Sequence, residues 1–279
     1  MMGWHSAWPA PAKLNLFLHV VGRRDDGYHL LQTVFRFIDR ADWLRFSPID
    51  VDDVVLTNPL PGVPAEADLT VRAARLLREA AGVRHGVAIE LDKRLPMGGG
   101  LGGGSSDAAT TLIALNQLWG CGLSPGQLQR LGLALGADVP VFVHGRNCFA
   151  EGVGERFRDL ELPPAWYLVT VPATPVATAE VFRDPALRRD TPAMDPGRWR
   201  PGLGGNDLEP VACRLAPAVA SHLSWLRARA PARMSGSGAC CFAEFRSEAE
   251  AGAVLAQLPA GMSGFVARGL DHHPLSELT

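Results

Sequence analysis

Hydrophobic residues alternate with polar ones in several short stretches of the chain. Within 86–95, Val87, Ile89 and Leu91 recur at every second position, which is the spacing of a half-buried strand, and Pro96 then ends the ladder. Runs of β-branched, aromatic and aliphatic residues predict further strands at 13–20, 33–38, 42–46, 165–171 and 239–245.

Helices are predicted where a capping residue precedes a run of helix-forming residues. Pro125 has the first helical position behind Ser124, and Ser247 with Glu250 matches a capping box. The predicted helices cover 68–81, 105–119, 124–136, 206–229 and 247–258.

Strands and helices follow one another without strict βαβ repetition, which favours an α+β fold built in layers. The character of the sequence changes within 151–164, so we expect two domains, 1–152 and 153–279. The segment 182–205 is rich in Pro, Arg and Asp and predicts a long loop. Long loops in compact domains often carry function.

Composition and charge exclude several classes of protein. Of the 279 residues 47% are hydrophobic, which is enough for a substantial core and too many for a disordered chain. Because 27 Lys and Arg face 29 Asp and Glu, we expect neither nucleic acid nor a membrane as partner. Five cysteines without a CxxC spacing favour the reducing cytoplasm, and no stretch has the pattern of a signal peptide or a membrane span. We expect a monomer or a weak homodimer.

The most informative feature is a glycine cluster, 98–104, in which only Leu101 is not Gly. It lies between a predicted strand and a predicted helix, where its backbone N–H groups can bind phosphate. No Lys follows Gly104, so the cluster is not a Walker loop. No Asp or Glu lies between Ala108 and Ala137, which argues against a dinucleotide fingerprint and a nicotinamide-dependent oxidoreductase.

Three segments in the same order resemble the motifs of the GHMP kinases, the family of galactokinase, homoserine kinase and mevalonate kinase. The segment 96–109 resembles the ATP-binding loop of that family, 11–16 its N-terminal motif and 234–240 its C-terminal glycine motif. This resemblance implies a two-domain α+β fold in which ATP, with Mg²⁺, meets a small-molecule substrate in the cleft between the domains.

Three more segments, 23–30, 136–140 and 181–185, resemble one branch of this family. That branch acts on a cytidine diphosphate-linked polyol, so the resemblance implies such a substrate for this chain. A kinase for mevalonate or homoserine is the alternative within the family. A nucleotide sensor without activity is a further alternative, and the candidate catalytic residues argue against it.

Two charged residues in apolar surroundings are the candidate catalytic pair. Asp138 follows a predicted helix inside the apolar stretch 131–143, where a bare carboxylate is costly. It either caps a local turn or accepts the proton of a reacting hydroxyl, and the resemblance favours the second role. Lys13 lies in a predicted strand, where an edge lysine facing solvent is the ordinary interpretation, and the family motif makes it catalytic. Asn15 falls on the same face of that strand and is a candidate substrate contact.

The glycine cluster and its flanks are the candidate nucleotide site. Ser105 and Ser106 supply N–H donors at the helix start, and one hydroxyl can reach Mg²⁺, although plain N-capping is the alternative. No Glu matches the metal ligand found in some branches, so we assign no residue as a metal ligand and leave direct coordination open. The predicted nucleotide-binding residues are Pro96, Met97, Gly98, Gly99, Gly100, Leu101, Gly102, Gly103, Gly104, Ser105 and Ser106.

The candidate substrate contacts lie in two polar segments far apart in the sequence. The resemblance implies that Tyr28 and Phe182 stack on a cytosine and that His29 binds its polar edge, while ordinary packing is the alternative for each. Thr178 is a further candidate contact. His272 and His273 have no spaced partner for a metal site and predict a solvated tail.

Overall fold

Two β-sheets organise residues 2–278, which are the residues described by a computed structural model. The larger sheet has the strand order β3-β4-β2-β5-β6, and β1 pairs with β2 beside this path. The smaller sheet has the order β10-β7-β9-β8 and is antiparallel throughout. The strands are β1 (Trp8–Arg23), β2 (His29–Ile49), β3 (Val54–Leu56), β4 (Gly86–Asp92), β5 (Cys148–Glu151), β6 (Arg156–Asp159), β7 (Trp166–Val171), β8 (Ala232–Met234), β9 (Cys241–Phe245) and β10 (Ser263–Arg268).

Eight α-helices of these residues pack against the sheets. Their bounds are α1 (Leu69–Ala81), α2 (Gly103–Leu118), α3 (Pro125–Leu135), α4 (Val139–His144), α5 (Thr178–Arg183), α6 (Glu209–Leu215), α7 (Pro217–Arg227) and α8 (Glu248–Leu255). None of the helices within 2–278 combines the length and the apolar character that crossing a bilayer requires.

The predicted strands 33–38 and 42–46 are one continuous strand, β2. Its register with β1 shifts between Pro11, which faces Ala41, and Ala12, which faces Ile38. The bulge absorbs the polar residues Asp39 and Arg40, which are exposed, so the pairing continues past them. The short strands β3, β5, β6, β8 and β10 were not expected.

Two of the helix predictions fail, and helices α4 and α5 were not expected. The predicted helix 206–229 is two helices, because Pro217 cannot donate a hydrogen bond into a continuous helix and α7 begins there. Helix α2 begins at Gly103, with Gly102 as its N-cap, so Ser105 and Ser106 lie in its first turn and do not cap it. The prediction for α3 is confirmed: Ser124 and Gln127 form a capping box and Pro125 is the first helical residue.

The two faces of β2 contact two different cores. Phe35 and Phe37 pack with residues of α2 and α4, whereas Val34 and Ile38 pack with Tyr167 and other residues of the smaller sheet. Because successive side chains of β2 point to opposite faces, this one strand packs against both halves of the molecule. The cleft forms between these halves.

The chain after β10 returns to the larger sheet. The Leu270 N–H donates to the Phe37 carbonyl, and the His273 N–H donates to the carbonyl of Gly145, which follows α4. His273 is fully buried against the rings of Phe37 and Phe142. The expected solvated tail is therefore wrong for His273, although His272 is exposed.

The position of the boundary between domains 1–152 and 153–279 stays a prediction. Strand β6 pairs with β5, so Arg156–Asp159 belongs to the larger sheet. We propose the link 160–165, between β6 and β7, as the place where one domain ends and the other begins.

Candidate active site

A cavity of about 1000 Å³ lies between the two halves of the molecule. The candidate site residues that line it come from β1, the glycine cluster, the start of α4, the segment before β2 and α5. Ser106 is fully buried and does not line it. The candidates that do are Lys13, Asn15, Tyr28, His29, Pro96, Met97, Gly98, Gly99, Gly100, Leu101, Gly102, Gly103, Gly104, Ser105, Asp138, Thr178 and Phe182.

The glycine cluster takes its shape from left-handed backbone at Gly98, Gly100 and Gly102, with φ of 66°, 72° and 73°. Its carbonyl oxygens are held by the protein. Ala239 and Cys240 donate N–H bonds to the carbonyls of Gly98 and Gly99, at 3.2 and 3.0 Å.

The carbonyls of Gly98 and Gly99 therefore face the segment before β9, which belongs to the smaller half. Helix α2 follows directly, and the N–H groups of its first three residues, Gly103, Gly104 and Ser105, have no acceptor within the helix. These donors, with the positive end of the helix dipole, make an anion site at the cavity wall.

Lys13 and Asp138 form an ion pair in the cavity, with Nζ 3.2 Å from Oδ2. The Lys13 side chain is 2% exposed and Asp138 is 36% exposed, so the carboxylate has access to a ligand. Nζ also donates to Asn15 Oδ1 at 2.6 Å and to the Gly100 carbonyl at 3.0 Å. The ammonium is thus fixed by three oxygens of three separate segments.

Asn15 and Ser235 connect β1 to the loop before β9. Asn15 donates from Nδ2 to Thr33 Oγ1 at 2.9 Å, and its backbone N–H donates to Ser235 Oγ at 3.2 Å. The Ser235 hydroxyl in turn donates to the Gly100 carbonyl at 2.9 Å. Ser235 is fully buried, so its contacts indicate a link between segments, whereas Ser237 lines the cavity and bonds Thr178 at 2.7 Å.

The far side of the cavity carries an aromatic pair. The rings of His29 and Phe182 have centroids 4.9 Å apart. Burial lowers the pKa of His29, and the positive charges of Arg189 and Arg23 lower it further. Tyr28 lines the cavity and is 62% exposed. A flat, apolar ligand group can enter beside Phe182 and Tyr28.

Sequence reasoning missed a charged cluster below the glycine loop. Lys93 Nζ lies 2.6 Å from Asp42 Oδ2 and 2.6 Å from Asp107 Oδ2. Asp42 also accepts the backbone N–H groups of Arg94 and Leu95 through Oδ1. Burial lowers the pKa of Lys93, but the two carboxylates raise it by more. Burial raises the pKa of Asp107 to about 8 against the opposing effect of Lys93.

This cluster joins β2, the residue after β4 and the N-terminal part of α2, so it anchors both ends of the loop. The expectation that the Asp107 charge suits the first turn of α2 is wrong, since that turn holds no acid, and the partners of Asp107 are not visible in the sequence. They become neighbours only through the pairing of β2 with β4.

Mg²⁺ is the metal ion that the resemblance implies, and the cavity fits an ion carried by the nucleotide. Within 2–278, no three His, Cys, Asp or Glu side chains are grouped to hold a metal ion. The Ser105 hydroxyl lines the cavity as an oxygen donor. Mg²⁺ keeps several waters and takes one or two protein oxygens besides substrate phosphates, so this donor set suffices.

The fold and the residues that line the cleft point to a class of enzyme. Residues 68–146 match the family model of the GHMP kinases N terminal domain, and residues 186–264 match that of the GHMP kinases C terminal. The chain belongs to the GHMP kinase family and is a small-molecule kinase. The predicted family and the two-domain α+β fold are confirmed, and the oxidoreductase and sensor hypotheses are set aside.

Within that family, the similar curated relatives are named 4-diphosphocytidyl-2-C-methyl-D-erythritol kinase. The relative from Dechloromonas aromatica (strain RCB) is 64% identical over 273 residues, which cover 98% of this chain and 100% of the relative. The relative from Thiobacillus denitrificans (strain ATCC 25259 / T1) is 60% identical, with 96% and 97% covered.

Solved structures agree. A crystal structure of 4-(cytidine 5'-diphospho)-2C-methyl-D-erythritol kinase matches with a TM-score of 0.81 and 37% identity, covering 95% of this chain and 99% of that one. A mevalonate kinase structure matches with a TM-score of 0.68 at 14% identity, covering 95% and 99%, which shows the shared fold alone.

Proposed function

We propose that this kinase transfers the γ-phosphoryl group of ATP to the 2-hydroxyl of 4-(cytidine 5'-diphospho)-2-C-methyl-D-erythritol, a step of the non-mevalonate route to isoprenoids. The observation that supports this most is the identity of 64% over nearly the whole chain to a relative named for that substrate. The lining of the cavity supports the proposal too, because the glycine cluster, the Lys13–Asp138 ion pair and the His29–Phe182 pair all face the same space.

Asp138 is the group proposed to take the proton from the attacking hydroxyl. Asp138 is the N-cap residue of α4. Its carboxylate is partly exposed and lies beside the buried Lys13 ammonium. As the hydroxyl oxygen bonds to the γ-phosphorus, the bond from that phosphorus to the bridging oxygen breaks and ADP leaves with its electrons. The proton passes to Asp138, while Lys13 holds the carboxylate in place and stabilises the negative charge of the transferring group.

The glycine cluster and the start of α2 are proposed to bind the phosphates of ATP through backbone N–H groups. Mg²⁺ bound with the nucleotide would neutralise phosphate charge, and the Ser105 hydroxyl is the side chain that would reach it. On the other side, Phe182 and Tyr28 are proposed to stack on the cytosine, with His29 and Thr178 as polar contacts.

A phosphotransfer assay with three acceptors tests the proposal. ATP is offered with the cytidylyl substrate, mevalonate and homoserine in parallel, and we expect turnover of the cytidylyl substrate alone. Turnover of mevalonate or homoserine in its place would overturn the proposed substrate. The cytoplasmic location and the monomer or weak homodimer stay predictions.

The proposed base has its own variant in the same assay. Asp138→Asn should keep ATP binding and lower kcat by on the order of 10² to 10⁴, the usual effect of a positioned proton acceptor. Asp50→Asn, at an exposed position after β2 and outside the cavity, is the matched control and should leave kcat unchanged. Near-normal turnover of Asp138→Asn would remove this residue from the mechanism.

A further inference from the structure

The Arg189 side chain joins the two segments that form the aromatic side of the cavity. Its Nη2 donates to the carbonyls of Phe182 and Asp184, at 2.9 and 2.8 Å, and Nη1 donates to the Leu187 carbonyl at 3.0 Å. Its Nε donates to His29 Nε2 at 3.1 Å. One guanidinium therefore fixes the end of α5 and the first residue of β2 together.

The bond to His29 determines which ring nitrogen carries the proton. A guanidinium has only donors, so the nitrogen that faces it must offer a lone pair. His29 Nε2 is therefore the acceptor, and in the neutral ring the proton is on Nδ1. The lowered pKa of His29, caused by burial and then by Arg189 and Arg23, keeps the ring neutral near pH 7.

An Nδ1–H donor in the cavity has a consequence for base recognition. His29 lines the cavity, and no residue within 2–278 bonds its Nδ1. Cytosine presents acceptors at N3 and O2, whereas uracil presents an N–H donor at N3. A fixed donor pairs with N3 of cytosine and faces a second donor in uracil, which leaves both N–H groups unpaired.

We propose that Arg189 is a positioning residue that holds His29 in its Nδ1–H form, so that the cavity selects cytosine over uracil. This inference rests on the proposed function, because the group that His29 recognises is the cytosine of the proposed substrate. Nothing about phosphoryl transfer itself depends on it.

The test compares Arg189→Gln with Arg189→Lys in the full-length protein. Glutamine can donate or accept, so it no longer dictates the proton position on His29, whereas lysine has only donors. Each variant is assayed with ATP and either the cytidylyl substrate or its uridylyl counterpart. We expect the ratio of kcat/KM for the two substrates to fall about tenfold or more in Arg189→Gln, the scale of one mismatched buried hydrogen bond. Arg189→Lys should retain most of the ratio.

Two further measurements separate this role from a structural one. Nitrogen-15 spectra of the histidine rings, with His29 assigned by its loss in His29→Ala, should show a proton on Nδ1 in the wild type and a mixture in Arg189→Gln. In a His29→Ala background, Arg189→Gln should leave the substrate ratio unchanged, because the group that reads the base is already gone.

Several results would overturn the inference. The first is a proton on Nε2 of His29 in the wild type, and the second is an unchanged ratio of kcat/KM in Arg189→Gln. The third is a decrease of kcat/KM in Arg189→Gln that is equal for both substrates and that persists in the His29→Ala background. If the wild type phosphorylates neither the cytidylyl nor the uridylyl acceptor, the proposed function is wrong, and the proposed recognition of cytosine by His29 is wrong with it.

Discussion

At the scale of single residues, Lys13 illustrates how one ammonium can serve several segments. Its Nζ reaches Asp138, Asn15 and the Gly100 carbonyl, and its stem is buried. Removing the charge alone, in Lys13→Met, retains much of the stem and deletes the three contacts. We expect kcat to fall on the order of 10²-fold, since the ammonium proposed to stabilise the transferring group is lost.

The same pair predicts non-additive effects. If Lys13 and Asp138 act as a unit, Lys13→Met combined with Asp138→Asn should be little slower than the slower single variant. Single-turnover rates measure this, and thermal unfolding checks that each variant is folded. Losses that multiply would show two independent contributions.

Prediction from the sequence was uneven for individual residues. Lys13 and Asp138 were selected because each lies in a motif that resembles those of a known family, and the structure brings the two side chains together. Lys93 was missed because its partners, Asp42 and Asp107, come from other elements. His273 was misjudged because its burial depends on the chain returning to Phe37 and Phe142, which no local pattern encodes.

At the scale of elements, the glycine loop depends on left-handed backbone at Gly102. A Cβ there would lie 2.8 Å from Phe142 Cζ and 3.0 Å from Lys13 Cε, and the φ of 73° is itself strained for other residues. We expect Gly102→Ala to weaken ATP binding about tenfold or more, because the loop must move away from both side chains. Calorimetry with ATP on the folded variant measures this.

Gly120 provides the control for backbone strain alone. Its φ of 66° is similar, it lies outside the cavity, and an added Cβ would meet no atom within 4 Å. Gly120→Ala should therefore cost stability and leave ATP affinity unchanged. Equal ATP affinity in both variants would move the phosphate site away from Gly102. Gly103 is the less informative position, because it is the first residue of α2 and has no left-handed φ.

The elements that could be predicted were those with enough residues to show a period. Helices α1 and α3 and strands β4 and β7 lie close to their expected bounds. Short strands such as β8, with three residues, form only because β9 lies beside them. Helix α4 was hidden because its residues Val139–Val143 are apolar on every side and show no periodicity.

At the scale of the whole molecule, the burial of His273 links stability to pH. Burial lowers the pKa of His273 to about 3, and its Nδ1 accepts the backbone N–H of Leu275. The unfolded chain binds a proton near pH 6.5 that the folded state binds only near pH 3. The neutral His273 side chain therefore makes its full contribution to the free energy of unfolding above pH 6.5. This contribution is lost progressively as the pH falls toward 3.

His273→Phe tests this linkage. Urea unfolding at pH 7 and at pH 5 measures how far the free energy of unfolding decreases between these two pH values. We expect this decrease to be smaller in the variant than in the wild type by up to about 2 kcal/mol. His19, His29 and His222, whose pKa values are also lowered by burial, contribute equally to both proteins and cancel. Equal losses would show that His273 titrates alike in the folded and unfolded chains.

The return of segment 269–278 to the larger sheet also bears on how the enzyme is made. Ribosomes deliver these residues after every element that they contact. Until then Asn147 lacks the carbonyls of Leu270 and Asp271, which its Nδ2 binds at 2.7 and 3.0 Å, and Phe142 lacks its neighbour His273. The half of the molecule that carries the glycine loop and Asp138 is translated first, yet its packing is completed last.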